Sequence, residues 1–219
     1  MSVAAVVVAA GSGDRLGAGQ PKAMVRLGGS TILDTALAVF LQHPRVAEVV
    51  VVAPPDLAES LARATGVRVV PGGSTRADSV QRGLSAVSEQ AELVLVHDAA
   101  RPLVPARVLS NVIDALLAGA TAVVPVLPMI DTVKQVDEQA RVTATVHRDR
   151  LRRVQTPQGF RLEVLRAAYA AAGVAASTDD AGVVELHGVT VLTVPGDEEA
   201  FKITTPHDLR IAELLVHGR

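Results

Sequence analysis

The sequence predicts an α/β protein with a mostly parallel sheet flanked by helices, and three observations carry that prediction. Short β-branched runs alternate with amphipathic helical stretches along the chain. The first run, Val3–Ala9, is apolar throughout, as in a central strand buried on both faces. Between the runs lie recognisable helix-start signals.

Taken in order, Val3–Ala9 forms the first strand and a glycine-rich turn follows it. Thr31 with Asp34 makes a capping box, after which Leu33, Leu37, Phe40 and Leu41 share one helical face. Glu48–Ala53 and Val67–Val70 are the next strands. Thr75 caps a helix carrying Val80, Leu84 and Val87, and Leu93–His97 is again a buried strand. Pro105 fits a first helical position, with Leu109, Val112, Ile113, Leu116 and Leu117 following at helical spacing. Thr121–Val126 is a fifth strand, and Thr205-Pro206-His207-Asp208 opens the last helix with a cap and a first-turn proline.

One segment breaks this rhythm. Asp131–Arg153 carries 10 charges in 23 residues, against 20% charged residues overall. Thr132–Val136 and Arg141–Val146 are strand-like, and Asp137–Ala140 between them suits a hairpin turn. This is either a solvated surface hairpin or an arm (residues 131–153) projecting toward a partner. With no repeat and no long linker, residues 1–219 are expected to form a single domain.

Composition excludes several classes of function. The 219 residues include no cysteine, which removes disulfides, thiolate metal sites and a cysteine nucleophile. A net charge of −2 offers no basic excess for nucleic acid, and three Phe, one Tyr and no Trp make no base-stacking platform. The uncharged stretch Ala115–Ile130 is interrupted by Gly119, Pro125 and Pro128 and is shorter than the ~20 residues of a membrane span. No targeting segment is visible, so a soluble, cytoplasmic protein is expected. Only Lys22, Lys134 and Lys202 are lysines among 21 basic residues.

The turn after the first strand is Ala9-Ala10-Gly11-Ser12-Gly13-Asp14-Arg15-Leu16-Gly17. In α/β sheets, ligand loops sit at such C-terminal strand ends, and glycines let backbone N–H groups approach phosphate oxygens. The spacing misses the dinucleotide fingerprint, because position 16 is Leu, and the second strand ends at Ala53-Pro54 without an acidic ribose ligand. No P-loop consensus occurs either. Arg15 in the loop and Lys22 after Pro21 add cations suited to a triphosphate that gains charge during attack. A purely structural glycine turn remains the alternative.

Further along, Gly72-Gly73 follows a strand, and its backbone groups, with the Ser79 hydroxyl, suit the edge of a pyrimidine; a turn with a helix cap explains the same residues. Asp98 stands at a C-terminal strand end, where a carboxylate binds Mg²⁺ or a sugar hydroxyl, or serves as a turn residue. Arg101 suits a phosphate or an ion pair with Asp98. Lys202, on the apolar stretch Ala200–Ile203, either snorkels from a strand or holds a phosphate. Histidine spacing gives no zinc site, and no G-x-S-x-G occurs.

The loop Ala9-Ala10-Gly11-x-Gly13-x-Arg15 with Pro21-Lys22 resembles the signature of nucleotidyltransferases that activate sugar and polyol phosphates. Four segments place the resemblance in one branch: Gly72-Gly73-Ser74-Thr75-Arg76-Ala77-Asp78-Ser79-Val80, His97–Pro102, Thr156-Pro157-Gln158 and Thr178-Asp179-Asp180-Ala181. With Phe201-Lys202-Ile203-Thr204 they are similar to the 2-C-methyl-D-erythritol 4-phosphate cytidylyltransferase family of the non-mevalonate isoprenoid pathway, over nearly the whole chain.

The resemblance implies a Rossmann-like fold of nucleotidyltransferase type with a β-hairpin arm. It implies CTP with Mg²⁺ as nucleotide and in-line attack by the substrate phosphate without a covalent enzyme intermediate. The catalytic residues would be Arg15, Lys22, Arg148 and Lys202. Ala9, Ala10, Gly11, Gly13, Gly73, Ser79 and Asp98 would bind the nucleotide. Asp98, Ala99, Arg101, Thr132, Arg148, Thr156, Thr178 and Lys202 would bind the polyol phosphate, with Asp98 also the candidate metal ligand. It further implies a homodimer whose arms exchange, so that Arg148 reaches the neighbouring site.

Three rivals stand beside this reading. One is the same chemistry on another polyol phosphate, such as ribitol 5-phosphate. Another is a nicotinamide dehydrogenase, disfavoured by Leu16 and the missing acidic residue. A non-catalytic nucleotide-binding module is the third, disfavoured by four separately placed basic residues at positions of catalytic type.

Overall fold

The computed structural model describes residues 1–11, 13, 16, 17, 19–171 and 177–218. At its centre lies β1 (Val3–Val8), paired in parallel with β4 (Val46–Ala53) on one side and β6 (Leu93–Asp98) on the other. β5 (Arg68–Pro71) continues the sheet in parallel beyond β4. On the other flank, β11 (Gln158–Arg161) runs antiparallel between β6 and β7 (Ala122–Pro128). β10 (Arg152–Val154) is antiparallel to β7, and β12 (Val191–Pro195) is parallel to it. Two short strands, β2 (Arg26–Leu27) and β3 (Ser30–Thr31), form a separate ribbon.

The continuous apolar reading of the first strand is explained by its two faces. Val3, Ala5 and Val7 enter one core layer, while Ala4 and Val6 enter the other. The first layer is covered by α1 (Ile32–Gln42), α2 (Ala58–Thr65) and α4 (Ala106–Leu117). The second is covered by α3 (Arg76–Ala86), α5 (Leu162–Ala171) and α6 (Asp180–Glu185). A third, smaller cluster joins the ribbon to α7 (Pro206–His217) through Leu27, Ile32, Ile203 and Ala212. Gly83 lets α3 lie close on the sheet, since a Cβ there would stand 2.4 Å from Val6 Cγ1.

The helix-start signals hold. Thr31/Asp34 and Thr205/Asp208 both form complete capping boxes, with Pro206 in the first turn. Pro105 is one residue earlier than expected, at the N-cap of α4 rather than within it. Ala200–Ile203 is not a strand: Glu198–Ala200 is a 3₁₀ turn, and Phe201–Thr204 has no regular structure.

The charged segment folds as the expected hairpin, β8 (Val133–Val136) against β9 (Val142–Val146). Ala140 takes the left-handed conformation in its turn, and the Asp137 carboxylate accepts from the backbone N–H groups of Gln139 and Arg141. Arg152 and Arg153, assigned to the arm because of their charge, instead belong to the main sheet through β10. Among the described residues, no helix is long and apolar enough to cross a membrane.

Candidate active site

Strand order reverses at β1: β4 and β5 lie to one side, β6 to the other. In open α/β sheets the crevice beyond such a switch point is the ligand site. Here a cleft of about 580 Å³ opens at the C-terminal ends of β1, β5 and β6. Its walls include Ala9, Ala10, Gly11 and Gly13 from the first loop, Lys22, Gly73 and Ser79, Arg76, and Asp98, Ala99 and Lys202. A second cavity of about 300 Å³ is lined by Arg101, Thr156, Gln158, Thr178 and Asp179. Arg76, Asp98 and Lys202 line both and form the partition between them.

The loops of the larger cleft are fixed by close packing. Gly13 has φ +78°, and a Cβ on it would lie 2.8 Å from Lys22 Cβ, so Lys22 passes directly over the glycine. Lys22 Nζ donates to Ile203 O at 3.0 Å, tying the first loop to the segment before α7. Across the cleft, Ser79 Oγ accepts from Gly73 N at 3.0 Å and donates to Thr75 O at 2.9 Å. The Ser79 hydroxyl therefore shapes the Gly72-Gly73 turn and is already engaged on both counts, rather than standing free for a base. The Asp78 carboxylate accepts from Ser74 N at 3.0 Å, and Thr75 caps α3.

At the partition, Asp98 Oδ2 accepts from Lys202 Nζ at 2.7 Å and Oδ1 accepts from Arg76 Nε at 3.1 Å. Burial opposes ionisation of Asp98, but Arg76 and Lys202 outweigh it and hold the carboxyl well below the usual carboxylate range. Arg76 reaches on to Asp180, which is fully buried and also accepts from Tyr169 Oη at 2.6 Å. Burial disfavours the Arg76 charge, yet the carboxylates of Asp180 and Asp98 raise its pKa above the ordinary value. Burial beside Asp180 likewise raises the Tyr169 phenol, keeping it a donor.

Behind Asp98, His97 is inaccessible to solvent and its Nε2 lies 3.2 Å from Arg101 O. A carbonyl only accepts, so Nε2 carries the proton, and Nδ1 accepts from the Thr156 hydroxyl at 3.0 Å. Thr156 Oγ1 in turn accepts from Asp98 N at 3.1 Å. Burial, with Arg101 nearby, pushes His97 down to about 4, so it stays neutral. Thr156, in a cis peptide with Pro157, thus holds the end of β6 in addition to facing the smaller cavity.

Arg101 does not pair with Asp98. Its NH1 donates to Ala200 O at 2.7 Å and its NH2 to Val154 O at 3.4 Å. Its Nε is buried without a hydrogen-bond partner, an unsatisfied donor beside the smaller cavity.

The expected site residues thus divide. Lys22, Lys202, Asp98, Ala99, Gly73, Ser79 and the loop residues Ala9 to Gly11 and Gly13 meet in one cleft, with Arg101, Thr156 and Thr178 in the adjoining cavity. Arg148 and Thr132 line neither; both are exposed in the arm, where Arg148 donates to Ile130 O. Arg15 lies outside the described residues.

As a metal ligand Asp98 does not fit, because each of its oxygens already carries a cation. It is also the one carboxylate lining the larger cleft among the described residues. Sequence reasoning gave no role to Arg76, Asp180, Tyr169 or Gln158. Arg76 carried a signal: it is the first residue of α3, where the helix dipole disfavours a cation, so its charge answers to something other than the helix. Tyr169, the only tyrosine, was hidden on an apolar face.

A parallel-strand switch point, glycine-lined backbone at one end and fixed cations beside it define a nucleotidyltransferase, an enzyme that works by placing phosphates and charge. A sequence model described as "IspD: 2-C-methyl-D-erythritol 4-phosphate cytidylyltransferase" matches residues 3–218, and the chain belongs to that family.

Among relatives of that name, the chain is 53% identical over 224 residues to the protein of Saccharopolyspora erythraea, covering 99% of this chain and 100% of the relative. It is 52% identical over 216 residues to that of Frankia casuarinae, covering 98% and 81%. The crystal structure of the Thermus thermophilus protein of the same name superposes with a TM-score of 0.83 at 40% identity, covering 97% and 98% of the two chains.

Proposed function

We propose that this protein transfers a cytidylyl group from CTP to 2-C-methyl-D-erythritol 4-phosphate, giving 4-diphosphocytidyl-2-C-methyl-D-erythritol and pyrophosphate. The observation that carries the proposal is the partition of Arg76, Asp98 and Lys202 between a nucleotide-sized cleft and a smaller polar cavity. Two substrates placed on either side meet at Lys202.

The triphosphate lies along the Ala9–Gly13 loop, with Lys22 at its α-phosphate, and the cytosine faces the Gly73 turn. The polyol phosphate occupies the smaller cavity against Arg101, Thr156 and Thr178, its phosphate drawn to Lys202. Its oxygen attacks the α-phosphorus in line and pyrophosphate leaves. The protein supplies position and positive charge rather than a nucleophile. Arg15 adds a second cation at the triphosphate.

Mg²⁺ arrives with CTP, bound by phosphate oxygens, as part of the nucleotide substrate. Thr132 and Arg148, which line neither cavity in their own chain, serve the neighbouring subunit of a cytoplasmic homodimer through the arm. The exposed apolar residues Val136 and Val142 on the hairpin support that pairing.

Pyrophosphate release tests the reading, using a panel of 2-C-methyl-D-erythritol 4-phosphate and ribitol 5-phosphate against CTP, UTP, ATP and GTP, with and without Mg²⁺. Turnover is expected with the methylerythritol phosphate and CTP. Preference for ribitol 5-phosphate would move the assignment to that substrate, and equal turnover with ATP would refute the base assignment.

A further inference from the structure

The chain of contacts at the partition runs deeper than the substrates do. Tyr169 Oη donates to Asp180 Oδ1, and Asp180 Oδ2 accepts from Arg76 NH2 at 2.7 Å. Arg76 Nε then donates to Asp98 Oδ1, whose other oxygen holds Lys202. The two cations are the more exposed members, with the Lys202 side chain 39% exposed and that of Arg76 29%, while the carboxylates of Asp98 and Asp180 are 12% and 0% exposed. Lys202 and Arg76 are thus each anchored on a more buried carboxylate, Asp98 and Asp180 respectively, and Asp98 is held between the two cations.

A buried ion pair is a poor source of stability, because desolvation offsets most of the attraction. Arg76 also stands at the helix terminus least favourable to a cation. Stability alone therefore gives little reason for this arrangement. Lys202 supplies one. Its ammonium is paired with Asp98, yet the proposed reaction needs it on the incoming phosphate. Were Lys202 the only partner of Asp98, its departure would leave a buried carboxylate without a counter-charge beside a phosphate of like charge.

We infer that Arg76 is a positioning residue, which keeps the Asp98 carboxylate paired and in place on the partition so that Lys202 passes from Asp98 to the polyol phosphate without leaving a buried charge uncompensated. Its footing on Asp180 and Tyr169 fixes the guanidinium while Lys202 moves. Arg76 acts through Asp98, and although both residues line the larger cleft as well, the loss of Arg76 is felt mainly at the polyol-phosphate side, because that is where Lys202 must move. The inference rests on the proposed cytidylyl transfer.

The test compares wild type with Arg76→Gln, Arg76→Lys, Asp98→Asn and the double variant Arg76→Gln/Asp98→Asn. Steady-state kcat and KM are measured for each substrate, with CTP affinity by calorimetry and thermal unfolding alongside. Arg76→Gln is expected to lower kcat/KM for the polyol phosphate ~10²-fold, the scale of a misplaced reacting group, with CTP affinity within about threefold. Arg76→Lys should recover part of the loss. The double variant should be no worse than Asp98→Asn, because the two residues act as one unit.

Penalties that multiply, or CTP affinity falling in parallel, would overturn the inference. Should Arg76→Gln not fold, Tyr169→Phe loosens the same anchor and should show a smaller loss in the same parameter; unchanged kinetics there would also overturn it. Wild-type enzyme silent with every polyol phosphate fails the functional reading and this inference with it. Wild-type turnover with near-normal Arg76→Gln kinetics fails this inference alone.

Discussion

Replacing Gly72 with alanine tests how tightly the two walls of the larger cleft are keyed together. A Cβ at Gly72 would stand 2.4 Å from Ala10 Cβ, 3.2 Å from Ala53 O and 3.2 Å from Ser79 Oγ. Carbon atoms in contact settle at roughly 3.5–4.0 Å, so the first pair must separate by more than ~1 Å. Gly72 itself is held by its N–H bond to Ala53 O at 2.7 Å. Movement therefore falls on Ala10, in the loop proposed to cradle the triphosphate. Overpacking of this kind costs about 1–3 kcal/mol, and a displacement near 1 Å at a reacting centre costs on the order of 10²-fold in rate. Urea unfolding should show the lowered midpoint, and pyrophosphate release should show a raised KM for CTP with a reduced kcat. Adding Ala10→Gly removes the colliding methyl and should restore part of both. A Gly72→Ala enzyme with wild-type stability and CTP kinetics would refute the reasoning.

Two further outcomes are expected. Folded His97 titrates at about 4, against ~6.5 unfolded, so between those values the unfolded chain binds the extra proton. Stability should rise with pH across that window and fall by about 3 kcal/mol as pH drops from 6.5 to 4, ahead of the loss from Asp98, which lies lower still. Urea midpoints from pH 7.5 to 4.5 measure this; His97→Gln should flatten the slope, and a flat wild-type profile would contradict it. For the arm, mixing an Arg148→Ala chain with a Lys22→Ala chain, each nearly inactive alone, should recover roughly a quarter of wild-type activity after random exchange. Verified heterodimers without activity would place Arg148 in its own subunit's site or outside any site.

What the sequence revealed and what it hid follow from how local each signal is. Strands buried on both faces read as unbroken apolar runs, so β1, β4, β6 and β7 were visible within a few residues, and the half-exposed edge strand β5 showed through the β-branched residues Val67, Val69 and Val70. Caps written by Thr31, Thr75 and Thr205 depend on residues three positions away and were equally legible. β10 and β11 were not foreseen. Each is only 3 or 4 residues long, and their register is set by β7 and β6 rather than by their own pattern. The same holds at the site. Lys22 and the glycine loop announce themselves in one stretch, whereas the Arg76–Asp180 pair joins residues 104 positions apart. Charge density likewise misplaced Arg152 and Arg153, because an edge strand of the main sheet can be as charged as a solvated hairpin.

α3 borders both sides of the partition, since its first residue lines both cavities and the turn before it lines the larger one. The turn before it, Gly72 to Thr75, abuts Ala10 and lines the larger cleft, and its first residue, Arg76, reaches Asp98 and Asp180. A disturbance that simply dislodged α3 would harm both substrates together. Local perturbations should not. Gly72→Ala presses on the triphosphate loop and should raise the KM for CTP, while Arg76→Gln should burden the polyol phosphate and leave CTP affinity nearly unchanged. Opposite patterns in the two variants, measured in one assay, would mean that α3 stays in place and that each residue acts on its own side. The same loss for both substrates in both variants would mean that the partition has no separate parts, and that α3 works only as a rigid support for the whole cleft.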